Sequence, residues 1–396
     1  MTRKIVFWIH LTLGLGAGLP IAIMCLTGAA LSFEKDWIAW AERDARTVRP
    51  ADAAQPRLSL EELLRRSYTT RPELRINSVA LARDPHTAIA LGLSGNSLLY
   101  VNPHTGELHE GHAPQLRAFL RSMMAWHIRL NFSPGPENLG RKLNSAANLI
   151  FVFLCLSGLI LWWPRIWSAR SVRPSLWFVA KARGRARDWN WHNVIGFWSL
   201  PVLLVLGVSG VVLSYQWAGN AVFHLAGESP PNRNAAPAPA NSPSAAPGRA
   251  PSPAAVALVP GDGARPTLTT IVAAAEARYP AWELITVRFS PPLQRASPPS
   301  STLTLAVRTR DLPPFAVTTL TVNASNGALV RTEAFADLSA GQRARRWLRF
   351  LHTGEAFRAP GQLIAGVASL GGGVLAWTGF ALAWRRWRGR TVAPTS

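Results

Sequence analysis

Four stretches of this 396-residue chain contain no Asp, Glu, Lys or Arg: 5–33, 143–163, 189–227 and 359–384. A helix needs about 20 mainly apolar residues to cross a bilayer, and each stretch reaches that length. Each also carries Gly and Trp, which are common in membrane helices and at their interfaces. The expectation is four transmembrane helices. A cleaved leader competes for the first, because Arg3 and Lys4 precede it and "TGAALSFEKD" follows. Its apolar run, however, exceeds the roughly 7–15 residues of a leader core.

The formal net charge of +21 would point a soluble chain toward nucleic acid. Here the arginines flank the apolar stretches, and no nucleic-acid motif is present. Arg165, Arg170, Arg173, Lys181, Arg183, Arg185 and Arg187 fill the segment between the second and third stretches, and Arg385, Arg386, Arg388 and Arg390 follow the fourth. With Arg3 and Lys4 they place both termini and the middle loop on the cytoplasmic side. Cys25 and Cys155 both fall inside predicted helices, so no disulfide framework is expected. The absence of C-x-x-C-H excludes the usual covalent haem attachment.

The two outer segments share one order of elements. In the first, "LSLEELLRR" opens with Ser59 and has Glu62 three residues on, a capping-box pattern. "INSVALAR", "TAIALGLS" and "SLLYVNP" then alternate like antiparallel strands, and "VNPHTGEL" reads as a turn. In the second, a Pro/Ala/Ser-rich tract over 229–266 reads as a linker. The helix-like "LTTIVAAAEARYP" and the strand-like "ELITVRFS", "STLTLAVRT" and "AVTTLTVN" follow it. "VNASNGAL" aligns with "VNPHTGEL" without a gap.

The membrane stretches repeat as well. Counted from His10 and His192, Gly14 matches Gly196, Thr27-Gly28 matches Ser209-Gly210, and "LSF" matches "LSY". "SGLILWWPR" matches "TGFALAWRR" in the other two helices, each following a histidine, His127 or His352.

The fold class expected is a mainly α membrane protein. Its four transmembrane helices form two helix–outer module–helix repeats, each module a small α+β domain. The expected division is transmembrane helix 1 over 1–33, module 1 over 34–115, an interfacial helix and loop over 116–142 and helix 2 over 143–164. A basic loop (165–188), helix 3 (189–217) and an outer segment with the linker (218–266) follow. Module 2 (267–337), a second interfacial helix (338–358), helix 4 (359–384) and a tail (385–396) complete the chain.

On this topology His10 and His192 share one depth near the cytoplasm, and His127 and His352 share another near the outer face. About twenty helical residues, roughly 30 Å, separate the two. Paired imidazoles from different helices suit axial ligation of haem iron, and Gly14, Gly196, Gly354 and Gly361 would let a flat macrocycle approach the backbone. Two histidines per layer, without a carboxylate or Cys, are too few for a zinc site. Solvated interfacial imidazoles and a proton relay are the competing readings. His224 is an alternative ligand at the outer layer. Arg121, Arg129, Arg346 and Arg349 are candidates for haem propionates, an anionic substrate or lipid headgroups. His104, His109 and His112 have a spacing that a metal could use, but as turn residues they read as solvated. Most tryptophans, among them Trp8, Trp163, Trp198 and Trp384, read as an aromatic belt.

"WIHLTLGLGAGLPIAIMCLTGAALSF", "NWHNVIGFWSLPVLLVLGVSGVVLSY", the "VNPHTGEL" module ending and "LHTGEAF…TGFALAWRR" resemble the PepSY-associated transmembrane helix proteins of bacterial inner membranes, often linked to iron uptake. The resemblance implies PepSY-like periplasmic modules and cytoplasmic termini. It includes haem-containing siderophore reductases, which carry electrons to a ferric siderophore in the periplasm. It therefore implies two haem b groups, the inner on His10 and His192 and the outer on His127 and His352, with lipid and a ferric chelate as partners. No dinucleotide fingerprint is present, so electrons would come from a quinol or a separate cytoplasmic reductase. A non-enzymatic membrane regulator or iron-transport accessory remains the alternative, as does a cytochrome serving another periplasmic or quinone partner.

Overall fold

The structure, a computed structural model, describes residues 2–94, 97–111, 113–133, 135, 138–231, 258, 265–294 and 302–391. In chain order the helices are α1 (Thr2–Leu31), α2 (Glu34–Ala41), α3 (Arg43–Arg46), α4 (Pro50–Ala53), α5 (Leu60–Thr70), α6 (Pro114–Arg129) and α7 (Leu139–Trp162). They continue with α8 (Ala169–Leu176), α9 (Gly184–Ser214), α10 (Gln216–Leu225), α11 (Leu268–Arg278), α12 (Ala340–His352) and α13 (Arg358–Thr391). The strands are β1 (Ile76–Ala82), β2 (Ile89–Leu93), β3 (Leu98–Val101), β4 (Leu108–Glu110), β5 (Trp282–Leu293), β6 (Thr302–Thr309), β7 (Val317–Asn323) and β8 (Leu329–Glu333). Most of the 229–266 tract lies outside the described residues, as does His112.

The chain divides into two units. The first is helical and is built from residues 1–35, 115–228 and 344–396. Among the described residues, α1, α7, α9 and α13 are long and apolar enough to cross a membrane. α1 packs on α7 and α13, and α9 packs on the same two, which closes a ring of four helices. Small residues allow the close approach that replaces hydrophobic driving force in lipid. A side chain at Gly18 would meet the Phe380 ring at 2.7 Å, and one at Gly372 would meet Cys25 Sγ at 2.6 Å. Large apolar side chains such as Leu19, Leu26, Leu156, Ile160, Leu363 and Val367 face outward and exposed. That inversion suits lipid as the solvent, since a helix satisfies most of its backbone groups within its own segment. Cys25 and Cys155 are buried free thiols. The third apolar stretch is broken: α9 ends at Ser214, and α10 takes its remainder.

The second unit contains residues 36–114 and 229–343. The two expected modules share one eight-stranded antiparallel sheet, in the order β4-β3-β2-β1-β5-β6-β7-β8. They join where β1 pairs with β5, Val79 opposite Val287. One face is apolar in alternation, with Val79, Leu91, Ile285, Leu305 and Leu320 all buried. α5 and α11 cover it with Leu63, Leu64, Ile271 and Val272. Thr269 ties the two helices, accepting from the Leu60 N–H at 2.8 Å and donating to Glu61 Oε2 at 2.6 Å. Half of the expected capping box forms: Ser59 Oγ accepts from the Glu62 N–H, but the Glu62 carboxylate takes Arg65 and Arg66 instead.

The duplicated turns match bond for bond. Asn102 and Asn323 each donate their N–H across the turn, to Glu107 and Ala328, and accept from Gly106 and Gly327. Both glycines adopt positive φ, +77° and +69°, a conformation nearly free only for glycine.

Candidate functional site

Each of the four histidines singled out by the repeat rests on a Ser/Thr-Gly pair of a neighbouring helix. His10 Nδ1 lies 2.8 Å from Ser157 Oγ on α7, and His192 Nδ1 lies 2.9 Å from Thr378 Oγ1 on α13. His127 Nδ1 lies 3.1 Å from Thr27 Oγ1 on α1, and His352 Nδ1 lies 3.0 Å from Ser209 Oγ on α9. The glycine that follows each hydroxyl residue makes room for the ring. A Cβ at Gly158, Gly379, Gly28 or Gly210 would stand 3.6, 3.8, 3.2 or 3.2 Å from the Cε1 of its histidine.

The hydrogen bonds fix the tautomer. Each hydroxyl donates its proton to a carbonyl of its own helix, as Ser and Thr commonly do inside helices. Thr27 donates to Ile23 at 2.6 Å, Ser157 to Leu154 at 3.3 Å, Ser209 to Val205 at 2.6 Å and Thr378 to Val374 at 2.8 Å. Only an oxygen lone pair then remains for the imidazole, so Nδ1 is the donor. His127 and His352 also reach the Met24 and Leu206 carbonyls, at 3.1 and 3.0 Å, and a carbonyl can only accept. All four Nε2 atoms are left with a lone pair. An imidazole oriented through its other nitrogen is the usual arrangement of a metal-ligating histidine.

The histidines fall into two layers. His127 and His352 face each other with ring centroids 6.1 Å apart and planes tilted by 55°. That separation leaves room for one metal ion bonded to both imidazoles at about 2.0–2.1 Å. His10 and His192 line one cavity of about 710 Å³, within the roughly 300–1,000 Å³ of small-molecule and cofactor sites. Its walls include Gly14, Gly158, Gly196 and Gly379, and Trp162 stacked on Phe197 at 4.4 Å. Arg3, Lys4, Arg165, Arg185 and Arg386 also line it, and no acidic residue is among the described lining. Seventeen residues separate His10 from Thr27 and His192 from Ser209. At 1.5 Å per residue the layers stand about 25 Å apart along the helices, closer than the sequence expectation.

α6 and α12 bring the second pair into the bundle. Asn144 on α7 donates to the His127 carbonyl at 2.7 Å, which anchors the end of α6. Asn148, one turn further on, donates to the Gly207 carbonyl at 3.1 Å, beside the Gly210 seat of His352.

The expectations for Gly354, Gly361 and His104 change, and the other candidates take the following places. Gly354 and Gly361 pack against each other, a Cβ on Gly361 falling 2.3 Å from Gly354 O, so neither offers a surface to a macrocycle. His224 is exposed on the last turn of α10. Arg121 and Arg349 are exposed and Arg346 is half-buried, while Arg129 is spent on the Phe132 carbonyl at 2.9 Å. His104 is buried rather than solvated, with Nδ1 held by the Gln55 carbonyl at 2.6 Å. His109 stands beside Glu107 at 3.8 Å. Among the described residues no cluster of three or more His, Cys, Asp or Glu could hold a bare metal ion. The hydroxyl seats Thr27, Ser157, Ser209 and Thr378 were visible in the sequence only as markers of the repeat. Their signal was a Ser/Thr-Gly dipeptide recurring in all four membrane helices.

Fold and site define a four-helix membrane protein with two layers of seated histidines and a duplicated sheet unit. The family model for the PepSY-associated TM region matches residues 7–386, and the chain belongs to that family. No curated protein matches the chain.

Proposed function

We propose that the chain is an inner-membrane electron-transfer protein that holds two b-type haems and reduces a periplasmic ferric siderophore. The observation that carries the haem reading is the seating of four imidazoles, in two layers, with every Nδ1 proton committed and every Nε2 lone pair available. His10 and His192 would hold one haem and His127 and His352 the other, and such a group would supply one-electron transfer.

The residues present fit such a group. His127 and His352, with ring centroids 6.1 Å apart, would hold the outer group. His10 and His192 share a cavity with apolar walls and cationic groups suited to propionates. Thr27, Ser157, Ser209 and Thr378 hold the rings in position and raise the basicity of Nε2. Apolar packing around Cys155, Leu203 and Ala368 gives the bundle interior between the layers a low-dielectric lining. The arginines flanking helix ends support cytoplasmic termini and a periplasmic sheet unit. The siderophore acceptor rests on the resemblance to haem-containing siderophore reductases. The donor is a quinol or a cytoplasmic reductase.

Anaerobic stopped-flow mixing of the dithionite-reduced protein with ferric siderophores tests the acceptor. Reoxidation of the haem bands that depends on siderophore concentration supports the proposal. Bands that stay reduced in its presence refute it.

A further inference from the structure

We propose that Arg165 and Arg386 grip the two propionate carboxylates of the inner haem, so that its carboxylate edge faces the end of the bundle that carries the N terminus. This inference rests on the haem reading of the inner cavity.

The two arginines are equivalent in the repeat. Arg165 lies eight residues after Ser157, the seat of His10, and Arg386 lies eight residues after Thr378, the seat of His192. Both line the inner cavity. Arg3 and Arg185, each seven residues before its histidine, are a second equivalent pair at the cavity, but Arg3 is engaged by the Leu161 carbonyl; the pair Arg165 and Arg386, one from each repeat, matches a ligand with two like anionic groups.

Arg386 carries the sharper evidence. Its Nε is buried and has no hydrogen-bond partner among the described residues. A buried donor left unpaired on a cation is costly, and a carboxylate at the cavity would remove that cost. The guanidinium is held in place over Phe7 and Trp8, at 4.9 and 5.1 Å from the ring centres. Its neighbour Arg385 is already spent, donating to the fully buried Asp188 at 2.9 Å. Arg187 shares that carboxylate at 2.9 Å, and Arg3 donates to the Leu161 carbonyl. No acidic side chain among the described lining competes for Arg165 or Arg386. The planar fork of a guanidinium binds a carboxylate through two parallel hydrogen bonds, so a dianionic amphiphile fits where a neutral lipophile would leave the cations unanswered.

The test is a titration of the detergent-solubilised full-length protein, stripped of cofactor, with iron protoporphyrin IX and with its dimethyl ester. A His127→Ala background confines uptake to the inner pair, and the Soret band reports binding. The expected result is that the diacid binds at least about tenfold more tightly than the ester, and that Arg165→Gln with Arg386→Gln removes this preference. Equal affinity for diacid and ester in the unsubstituted arginine background overturns the inference while leaving haem binding intact. So does a preference that survives the double substitution. Failure of both compounds to bind overturns the haem reading itself.

Discussion

Ser157→Ala removes the seat of His10. Ser157 Oγ, at 2.8 Å, is the hydrogen-bond partner of His10 Nδ1 among the described residues. Without it the ring loses both its orientation and the bias toward a free Nε2. Removing a group that orients a metal-bound histidine typically costs about 10–100-fold in metal affinity, or about 1.4–2.8 kcal/mol. The outer layer provides the internal comparison. Ser209→Ala also deletes a hydroxyl, but His352 Nδ1 keeps the Leu206 carbonyl at 3.0 Å. Its loss is bounded by one neutral hydrogen bond, about 0.5–1.5 kcal/mol, or roughly two- to tenfold. Haem affinity, measured for each layer from Soret titrations of stripped protein, should therefore fall further for Ser157→Ala than for Ser209→Ala. Unchanged inner-layer affinity in Ser157→Ala, alongside complete loss in His10→Ala, would refute the claim that the hydroxyl positions the ligand.

Other substitutions separate steric, electrostatic and ionisation effects. Gly210→Ala puts a Cβ 2.8 Å from Asn148 Nδ2 and 3.2 Å from His352 Cε1, so it should lower haem content at the outer layer, whereas Gly158→Ala meets His10 at 3.6 Å and should leave the inner layer loaded; haem-to-chain ratios check both. Asp188→Asn leaves Arg187 and Arg385 without their shared carboxylate, and because both arginines are partly exposed the cost should be about 2–3 kcal/mol, below the 3–5 of a wholly buried pair, read as a lower thermal midpoint in detergent. Burial pushes the Tyr68 phenol up to about 12. The neutral form is the one the fold holds, so its contribution is complete below about pH 10, the ordinary tyrosine value, and is lost as pH rises toward 12. Burial also raises the Tyr100 phenol, so an absorbance titration at the phenolate band should show a late-ionising phase that shrinks, without vanishing, in Tyr68→Phe. That variant also leaves the Leu293 carbonyl, now 2.9 Å from the hydroxyl, without its donor, at about 1–3 kcal/mol.

The membrane helices were legible because composition and length decide them: a charge-free run of twenty residues has few alternatives. The duplicated turn was legible because Asn102 and Asn323, like Gly106 and Gly327, perform the same backbone task and cannot vary freely. The fusion of the modules into one sheet was not. Pairing of β1 with β5 joins segments far apart in sequence, and alternation within a strand says which face is buried but not which neighbour it takes. The pairing of histidines followed from topology and repeat offsets. Their seats did not, because Ser157 and Thr378 reach His10 and His192 from helices whose adjacency the sequence does not print. Arg121, Arg129, Arg346 and Arg349 are legible as propionate candidates because they lie near His127 and His352 in the chain. The cations that line the inner cavity are legible in the sequence only as topology markers, since an arginine flanking a membrane helix looks the same whether it meets lipid or a cofactor. Gly354 and Gly361 misled for a related reason: a glycine that relieves a helix contact cannot be told by spacing from one that faces a ligand.

The central claim is that two histidine layers hold two haems. A reduced-minus-oxidised spectrum of the purified full-length protein, with a pyridine haemochrome count per chain, tests it most directly. The account predicts two b-type haems per chain, falling to one in His10→Ala and in His352→Ala. A protein without haem absorbance, or one whose haem content survives both substitutions, would contradict it.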